Sequence, residues 1–479
     1  MPTPPTPPAT SPLAPVTPLA PTRSALPGAL VVAALAALAA ALALTITGRG
    51  TLAHPAPLYR WYTVDAALFA LALLLLRRVP DRQVVPLVLA GSVVVAALGL
   101  LAPPRTSDDA YRYVWDGRVQ AAGISPYAYP PDDPALARLR DPQLFPVGGR
   151  CDEWDERRTA AGDCTRINRP AVHTIYPPVA EAWFLAVHPW GGGIRGAQAA
   201  GALLAVATTG GLLWAGRGSR RAALWGWCPG VTVWSVNDAH VDTLGALLLV
   251  AGLGCAARRR AGPAGALVGA AIATKLLPGL ALPGALSGAL ARRPTRRDLV
   301  LLAAAVGTFA LTYVPYLLAS GVGVLGYLPG YLQEEGYEQG GLDRFGLLRA
   351  VVPDRWVPWA AGVLLTGVVL RVLRRGDAER PWRGALLVTG SALLIVAPSY
   401  PWYGLLVVAL VALDGRWEWL AVPAAGEALY LVGGDAAQRA AYGVALGCVL
   451  AGPALRGLAR ASRSRRSTGR PGPLVVRER

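Results

Sequence analysis

The segment SDDAYRYVWDGRVQAAGISPYAYPP at Ser107–Pro131, continued by INRPAVHTIYPPVAEAWF at Ile167–Phe184, is the polar region around which the chain is organised. A proline-rich tail and apolar runs precede it, and nearly everything after it is apolar again. Its paired carboxylates, Asp108 and Asp109, follow directly on the end of an apolar run. Burying two carboxylates there costs desolvation free energy, so they either lie in water or serve a function.

The composition indicates a protein with many membrane-spanning helices. The chain has 479 residues, of which 53% are hydrophobic and only 16% charged, whereas soluble domains carry about 25% charged residues. Many apolar runs approach or exceed the roughly 20 residues that cross a bilayer as a helix. The formal net charge of +17 comes mostly from arginines clustered between apolar runs. Cytoplasmic loops have this character, so nucleic-acid binding is not expected.

The apolar runs predict an all-α polytopic membrane helix bundle of about 13–14 transmembrane helices with a large first extracytoplasmic loop. Residues 1–24 are expected to form a disordered proline-rich cytoplasmic tail, 25–455 the transmembrane domain and 456–479 a basic cytoplasmic tail. Residues 103–195 form the loop. Within it, 176–190 is expected to lie along the outer membrane surface as a helix.

This topology collects the polar motifs on one face of the membrane. The turn NDAHVD at Asn237–Asp242, the residue Lys275, the segment Gly321–Arg355 and the turn YPWY at Tyr400–Tyr403 all fall on the side of the large loop. The arginine clusters fall on the other side. The face on which the protein works is therefore expected to be extracytoplasmic.

Two charged groups are candidates for chemistry. Asp109 or Asp108 could act as a general base on a hydroxyl, and partial burial would raise the carboxyl pKa and strengthen the base. Lys275, the only lysine of the chain, lies inside an apolar hairpin. A cation there needs an anionic partner, and a phosphate is a natural one. A side chain that extends to the membrane surface is the alternative.

His240 could be a ligand, a proton donor or a phosphate contact, or simply part of a polar turn. Asp238 and Asp242 make a divalent metal conceivable, but one histidine with flexible spacing does not support it, and no cofactor is predicted. Several aromatic residues near the carboxylates could line a sugar site or form an interfacial aromatic belt, which is the commoner case. These are Tyr111, Tyr113, Trp115, Tyr127 and Tyr129.

Of the five cysteines, only Cys151 and Cys164 lie outside the apolar runs. The topology places both on the oxidising side of the membrane, where disulfides form and persist. Zinc would need four ligands, and only His173 and scattered acids are near. We therefore predict a disulfide bond that braces the loop without taking part in chemistry.

Three motifs make the chain resemble the GT-C superfamily of integral-membrane glycosyltransferases, and within it the bacterial polyprenyl-phosphate-mannose-dependent mannosyltransferases. The motifs lie at Ser107–Phe184, at Ala273–Pro283 (ATKLLPGLALP) and at Ser399–Gly404 (SYPWYG). In architecture the resemblance covers roughly Ala25 to Leu455. The loop between Tyr129 and Ile167 is longer than in the family's commonest form and carries the two cysteines, which leaves the acceptor open.

The resemblance implies a bacterial cytoplasmic-membrane enzyme that transfers a hexose, expected to be mannose, from a polyprenyl-phosphate-linked donor to an extracytoplasmic lipid or glycan acceptor, with inversion. Asp109 matches the catalytic carboxylate, with Asp108 as its neighbour, and Lys275 matches the place where the lipid phosphate is held. The further substrate-binding residues expected from the motifs are His240, Tyr111, Arg112, Tyr113, Trp115, Tyr127, His173, Tyr176, Tyr400 and Trp402.

Two other classes of function fit a chain with many spans. A transporter or lipid-linked-sugar flippase would place charges at mid-membrane rather than on outer loops, and the predicted spans are almost free of charge except at Lys275. A non-catalytic partner of another membrane enzyme would keep the fold without needing Asp109.

The topology can be tested by labelling introduced cysteines with a membrane-impermeant reagent. We expect a cysteine near Asp133 to react from outside the cell and one near Arg220 to react only after the membrane is opened, because the arginine clusters are retained in the cytoplasm. The reverse labelling pattern would contradict the topology.

Overall fold

The computed structural model describes residues 26–148, 151–191, 193–326, 330 and 344–468. The predicted disordered tail lies outside these residues, as do residues 327–329 and 331–343 of the segment Gly321–Arg355. The described chain is mostly helical, with one two-stranded antiparallel sheet, β1 (Arg157–Arg158) paired with β2 (Cys164–Thr165).

Most of the helices follow one another through short connections, but α4 and α5 are separated by the loop 122–177. In chain order they are α1 (Leu26–Thr47), α2 (Ala56–Leu76), α3 (Asp81–Leu98), α4 (Asp109–Ala121), α5 (Pro178–Val187), α6 (Ile194–Ala215), α7 (Ala223–Gly226), α8 (Asp242–Ala257), α9 (Ala261–Ile272), α10 (Leu282–Ala285), α11 (Arg296–Ser320), α12 (Gly346–Arg349), α13 (Val357–Arg375), α14 (Pro381–Val396), α15 (Gly404–Asp414), α16 (Ala421–Val432) and α17 (Asp435–Thr468). A π-helical segment, Val231–Asn237, precedes α8.

Seven helices of the described chain are long and apolar enough to cross a membrane, which supports an all-α polytopic bundle. They are α1, α2, α3, α6, α11, α13 and the first part of α17. The π-helical segment and α8 pass the same test together, although they are bent by 113° at a short break. They make an eighth span if they are counted as one. Shorter apolar helices include α9, α14 and α15 with the turn before it.

The predicted count of about 13–14 full spans is therefore not reached among the described residues. The difference arises where the sequence has proline or glycine inside an apolar run, because proline removes a helical hydrogen bond and clashes with the preceding turn. The run at 222–236 is interrupted at Pro229 and Gly230 into α7 and the π-helical segment. The run at 263–290 breaks near Thr274–Lys275, where the sequence predicts a turn between two short helices. That turn is confirmed.

Helix α15 lies at the centre of the bundle. All ten residues from Gly404 to Leu413 are buried, and α7, α8, α14 and α16 pack around them. A helix that is apolar on every side must be covered by protein or by lipid, and here protein covers every side of GLLVVALVAL. The YPWY turn that precedes this helix is held against the same core.

A smaller layer, formed by α4, α5 and the loop between them, covers one end of the bundle. Its own apolar cluster includes Trp115, Leu136, Leu144 and Ile167, all fully buried. Cys151 and Cys164 are joined in a disulfide bond with their Cα atoms 5.4 Å apart, as predicted. The bond closes the hairpin that carries β1 and β2, so a charged stretch with little apolar content is fixed against α4.

The contact between α9 and α11 depends on small residues. A Cβ atom at Gly269 would overlap the backbone carbonyl of Ala305, whereas one at Gly262, on the same helix, would meet nothing within 4 Å. Small residues allow membrane helices to approach this closely.

We expect Gly269→Val to lower the free energy of unfolding by about 1–3 kcal/mol through overpacking. Gly262→Val should have little effect, as measured by thermal unfolding in detergent. Equal losses in both variants would contradict the packing.

Candidate functional site

The paired carboxylates lie at the start of α4. Asp108 occupies the N-cap position and Asp109 is the first helical residue, where the helix dipole favours negative charge. The side-chain amide of Asn168 donates hydrogen bonds to both, at 3.1 Å to Asp108 and 2.6 Å to Asp109. Arg157, at the start of β1, donates to Asp108 at 2.8 Å. The disulfide-closed hairpin therefore positions the guanidinium of Arg157 beside the carboxylate pair.

The environment of the two carboxylates makes both of them stronger bases than free aspartate. Burial, followed by the charge of Asp109, raises the pKa of Asp108 to about 6 against the opposing effect of Arg157. Burial also raises the pKa of Asp109, while Lys275 and then Asn168 oppose the shift. A carboxylate with a raised pKa that is still ionised near neutral pH is suited to accept a proton.

His240 lies next to Asp109 because the chain bends sharply between the π-helical segment and α8. Its Nδ1 is 3.5 Å from Asp109 Oδ2 and 3.4 Å from the hydroxyl of Tyr113. The imidazole ring stacks on Trp402 with centroids 3.9 Å apart. The Nε2 atom is buried and has no hydrogen-bond partner among the described residues. The motifs NDAHVD and YPWY therefore meet at the carboxylate pair.

Lys275 lies in the break after α9, and its cation does have a carboxylate partner. Its Nζ is 2.7 Å from Asp242 Oδ2 and lies 4.7 Å from the ring centroid of Tyr403. The sequence suggests a phosphate as the natural counterion, but in the structure the counterion is Asp242. Removing either charge would leave the other one buried without compensation.

Several of the predicted site residues lie close together. Tyr113 packs its ring against Tyr176, with centroids 5.0 Å apart, and Tyr400 stacks on Trp402 at 5.0 Å. Together with the carboxylates, His240 and Lys275, these rings form one continuous cluster. These contacts confirm that the carboxylates, Lys275 and the NDAHVD and YPWY turns share one face of the bundle. They do not include the segment Gly321–Arg355, part of which lies outside the described residues. On which side of a membrane that face lies is a prediction that they do not test.

Other predicted site residues of α4 do not face His240 and Lys275, because they lie on a different side of the helix. Asp109 and Tyr113 are four residues apart and share a face of α4. Tyr111 and Trp115 share another face: Tyr111 donates to Asp155 at 2.8 Å, and Trp115 packs on Phe145 in the loop core. These two residues stabilise the loop layer rather than line the site.

The remaining predicted residues are also set apart from the carboxylate pair. Arg112 forms a buried ion pair with Asp116 at 3.1 Å. Tyr127 donates to the backbone carbonyl of Tyr176 at 2.6 Å. His173 is exposed in the loop. Sequence spacing alone could not separate these residues from the ones that meet at Asp109.

The structure adds a buried pair of acidic residues, Asp116 of α4 and Glu181 of α5, that sequence analysis missed. Glu181 of α5 accepts hydrogen bonds from Thr174 at 2.7 Å and from Gln120 at 2.9 Å. Burial and the charge of Asp116 raise the pKa of Glu181. The pair links α5 to α4 and so holds the helix that begins with Asp109. The only signal in the sequence is an acidic residue inside the apolar run PVAEAWF.

A cavity of about 200 Å³ opens beside Asp108. Its lining is partly aromatic and partly charged and comprises Leu52, Ala53, Ser107, Asp108, Trp154, Arg157 and Tyr430. Aromatic rings with a few converging polar groups are typical of sites that bind small polar ligands. A hydroxyl group that entered this cavity would meet the carboxylate of Asp108, the neighbour of Asp109.

In the part of the chain that the structure describes, no group of three or more His, Cys, Asp or Glu side chains could hold a metal ion. Comparisons of the chain with protein-family models, with curated proteins and with solved structures found no match.

The Lys275–Asp242 pair can be tested by a double-mutant cycle. Because each single change leaves one buried charge, we expect Lys275→Gln and Asp242→Asn each to lower the free energy of unfolding by about 3–5 kcal/mol. The double variant, which removes both charges, should recover much of that loss in thermal unfolding. If the two single losses simply add in the double variant, the pair does not interact.

Proposed function

We propose that the protein is a membrane glycosyltransferase that moves a hexose from a polyprenyl-phosphate donor to a hydroxyl of a lipid or glycan acceptor. One observation carries the proposal: a largely buried carboxylate of raised pKa, Asp109, lies in contact with His240 and in the field of Lys275. A carboxylate suited to act as a base and a cation therefore lie close together at one end of the bundle. The resemblance of the motifs to the GT-C superfamily supports the same reaction.

In the proposed transfer, Asp109 acts as the base and Lys275 stabilises the leaving phosphate. Asp109 takes the proton of the acceptor hydroxyl as the oxygen forms its bond to the anomeric carbon. The bond between that carbon and the phosphate oxygen breaks on the opposite face, so the configuration inverts and the lipid phosphate leaves with the electron pair. Lys275 stabilises the developing phosphate charge. Asp242 holds the ammonium in position until the phosphate arrives.

The acceptor approaches through the cavity beside Asp108. Trp154 and Tyr430 offer ring faces on which a sugar can pack, and Arg157 offers a donor for a polar substituent. His240 keeps the Asp109 carboxylate oriented through its contact at Nδ1. In this arrangement Asp108 and Asn168 position the base rather than react themselves.

Two carboxyl groups within apolar helices bear on the transporter alternative. Asp65 of α2 is buried and accepts a hydrogen bond from Thr45 at 2.7 Å, and Glu427 of α16 accepts one from Trp234 at 2.8 Å. The spans are therefore less free of charge than the sequence suggests. Each of these bonds comes from a neutral donor and each joins neighbouring helices, which favours a structural role.

The proposal is tested by transfer from a radiolabelled polyprenyl-phosphate-sugar to an acceptor with purified protein. Asp109→Asn keeps the shape of the side chain but removes the proton acceptor, so turnover should fall by roughly 10²–10⁴-fold. Asp152→Asn, an exposed change in the disulfide-closed hairpin, should leave turnover unchanged. In the unmodified protein the rate should fall as the pH is lowered from neutral through the raised pKa of Asp109, because protonation removes the base.

Full activity of Asp109→Asn would transfer the role of base to Asp108. Full activity of both Asp109→Asn and Asp108→Asn would exclude the mechanism. Absence of sugar transfer by the unmodified, folded protein across polyprenyl-phosphate donors would favour a transporter or a non-catalytic partner.

A further inference from the structure

A long apolar groove lies between α2 and α16, away from the carboxylate pair. Its volume is about 1160 Å³. On one wall are residues of α2 from Tyr59 through Ala66 and Ala70 to Arg77, and on the other are residues of the π-helical segment and α16. Asp109, His240 and Lys275 are not among the residues that line it.

The groove follows the full length of a membrane-spanning helix. From Tyr59 to Arg77, α2 rises by about 27 Å at 1.5 Å per residue, close to the roughly 30 Å thickness of a bilayer's hydrocarbon core. At one end the hydroxyl of Tyr59 donates to the backbone carbonyl of Leu431 at 3.0 Å. This bond links α2 to α16 at the end nearer the carboxylate pair.

The opposite end of the groove is basic. The residues that line it there include four arginines, which are Arg77, Arg220, Arg221 and Arg456. Arg220 pairs with Asp81 and Arg456 pairs with Glu418, whereas Arg221 donates to the carbonyls of Leu413 and Asp414. Among the described residues, Arg77 and Arg221 are therefore the two of these four arginines that form no ion pair with a carboxylate. Arg77 is exposed.

We propose that this groove binds an anionic phospholipid, with the head-group phosphate at the arginine mouth and the acyl chains along α2. Basic pockets between spanning helices recognise anionic lipid head groups in this way. The charge fixes the orientation, because a phosphate at the Tyr59 end would meet no arginine among the lining residues. A polyprenyl-phosphate donor needs its phosphate at the other end of the bundle, beside Lys275.

The small residues of α2 make room for the acyl chains. Ala70 lines the groove about 10 Å along the helix from Arg77, at 1.5 Å per residue, and its side chain faces open space in the groove. Ala67 is equally exposed but does not line the groove. A bulky side chain at position 70 would occupy the path of the chains, and the same side chain at position 67 would not.

Binding can be measured with the full-length protein in a neutral detergent. We expect added phosphatidylglycerol to raise the thermal unfolding temperature and to remain bound in native mass spectrometry, and phosphatidylcholine to do neither. Arg77→Gln should weaken the apparent affinity for phosphatidylglycerol about fivefold, since one arginine near an anionic lipid contributes about 1 kcal/mol and 1.4 kcal/mol is tenfold. Ala70→Trp should abolish the shift.

The matched controls are Arg78→Gln, an exposed arginine adjacent to Arg77 that does not line the groove, and Ala67→Trp. Both should bind phosphatidylglycerol like the unmodified protein. Equal binding of the two phospholipids, or equal effects of the variants and their controls, would overturn the proposal. Displacement of phosphatidylglycerol by polyprenyl phosphate would overturn it too, since the groove would then hold the donor's chain. These measurements do not depend on whether the protein transfers sugar.

Discussion

The ion pair between Lys275 and Asp242 is the interaction on which the candidate site depends. A single ammonium and a carboxylate, 2.7 Å apart, are stable in apolar surroundings only when each compensates the other. The pair can form because α9 ends just before Lys275 and α8 begins at Asp242. The start of α8 and the end of α9 therefore lie close together. The backbone groups that have no helical partner at these ends lie near the two charged side chains.

The breaks in the apolar runs also help to form the candidate site. Irregular backbone within a membrane protein is tolerated where it is buried in protein or lines a cavity. The bend of 113° before α8 and the turn before α15 bring His240 against Trp402, with ring centroids 3.9 Å apart. The central helix α15 anchors that turn. The bundle core and the site are therefore built by the same helices.

The layer formed by α4, α5 and their loop carries Asp108 and Asp109 and determines their environment. Asn168 and Arg157 come from the loop and bind the carboxylates directly, while the buried Asp116 and Glu181 hold α4 to α5. The disulfide bond fixes the hairpin that carries Arg157. Burial without full ion pairing leaves Asp109 with a raised pKa, and this combination favours the role of a base.

The sequence by itself determined the helical class, the broken hairpin at Lys275, the disulfide bond and the meeting of the motifs on one face, because these follow from local composition and from the pattern of apolar runs. It predicted more full spans than the described residues contain. It also could not separate Tyr111 and Trp115 from Tyr113, because which face of α4 meets the bundle depends on how the helix packs. Only the tertiary structure decided that Asp242 neutralises Lys275 and that Arg157 and Asn168 bind the carboxylates. These partners are far apart in the chain, and their contact depends on how the helices pack.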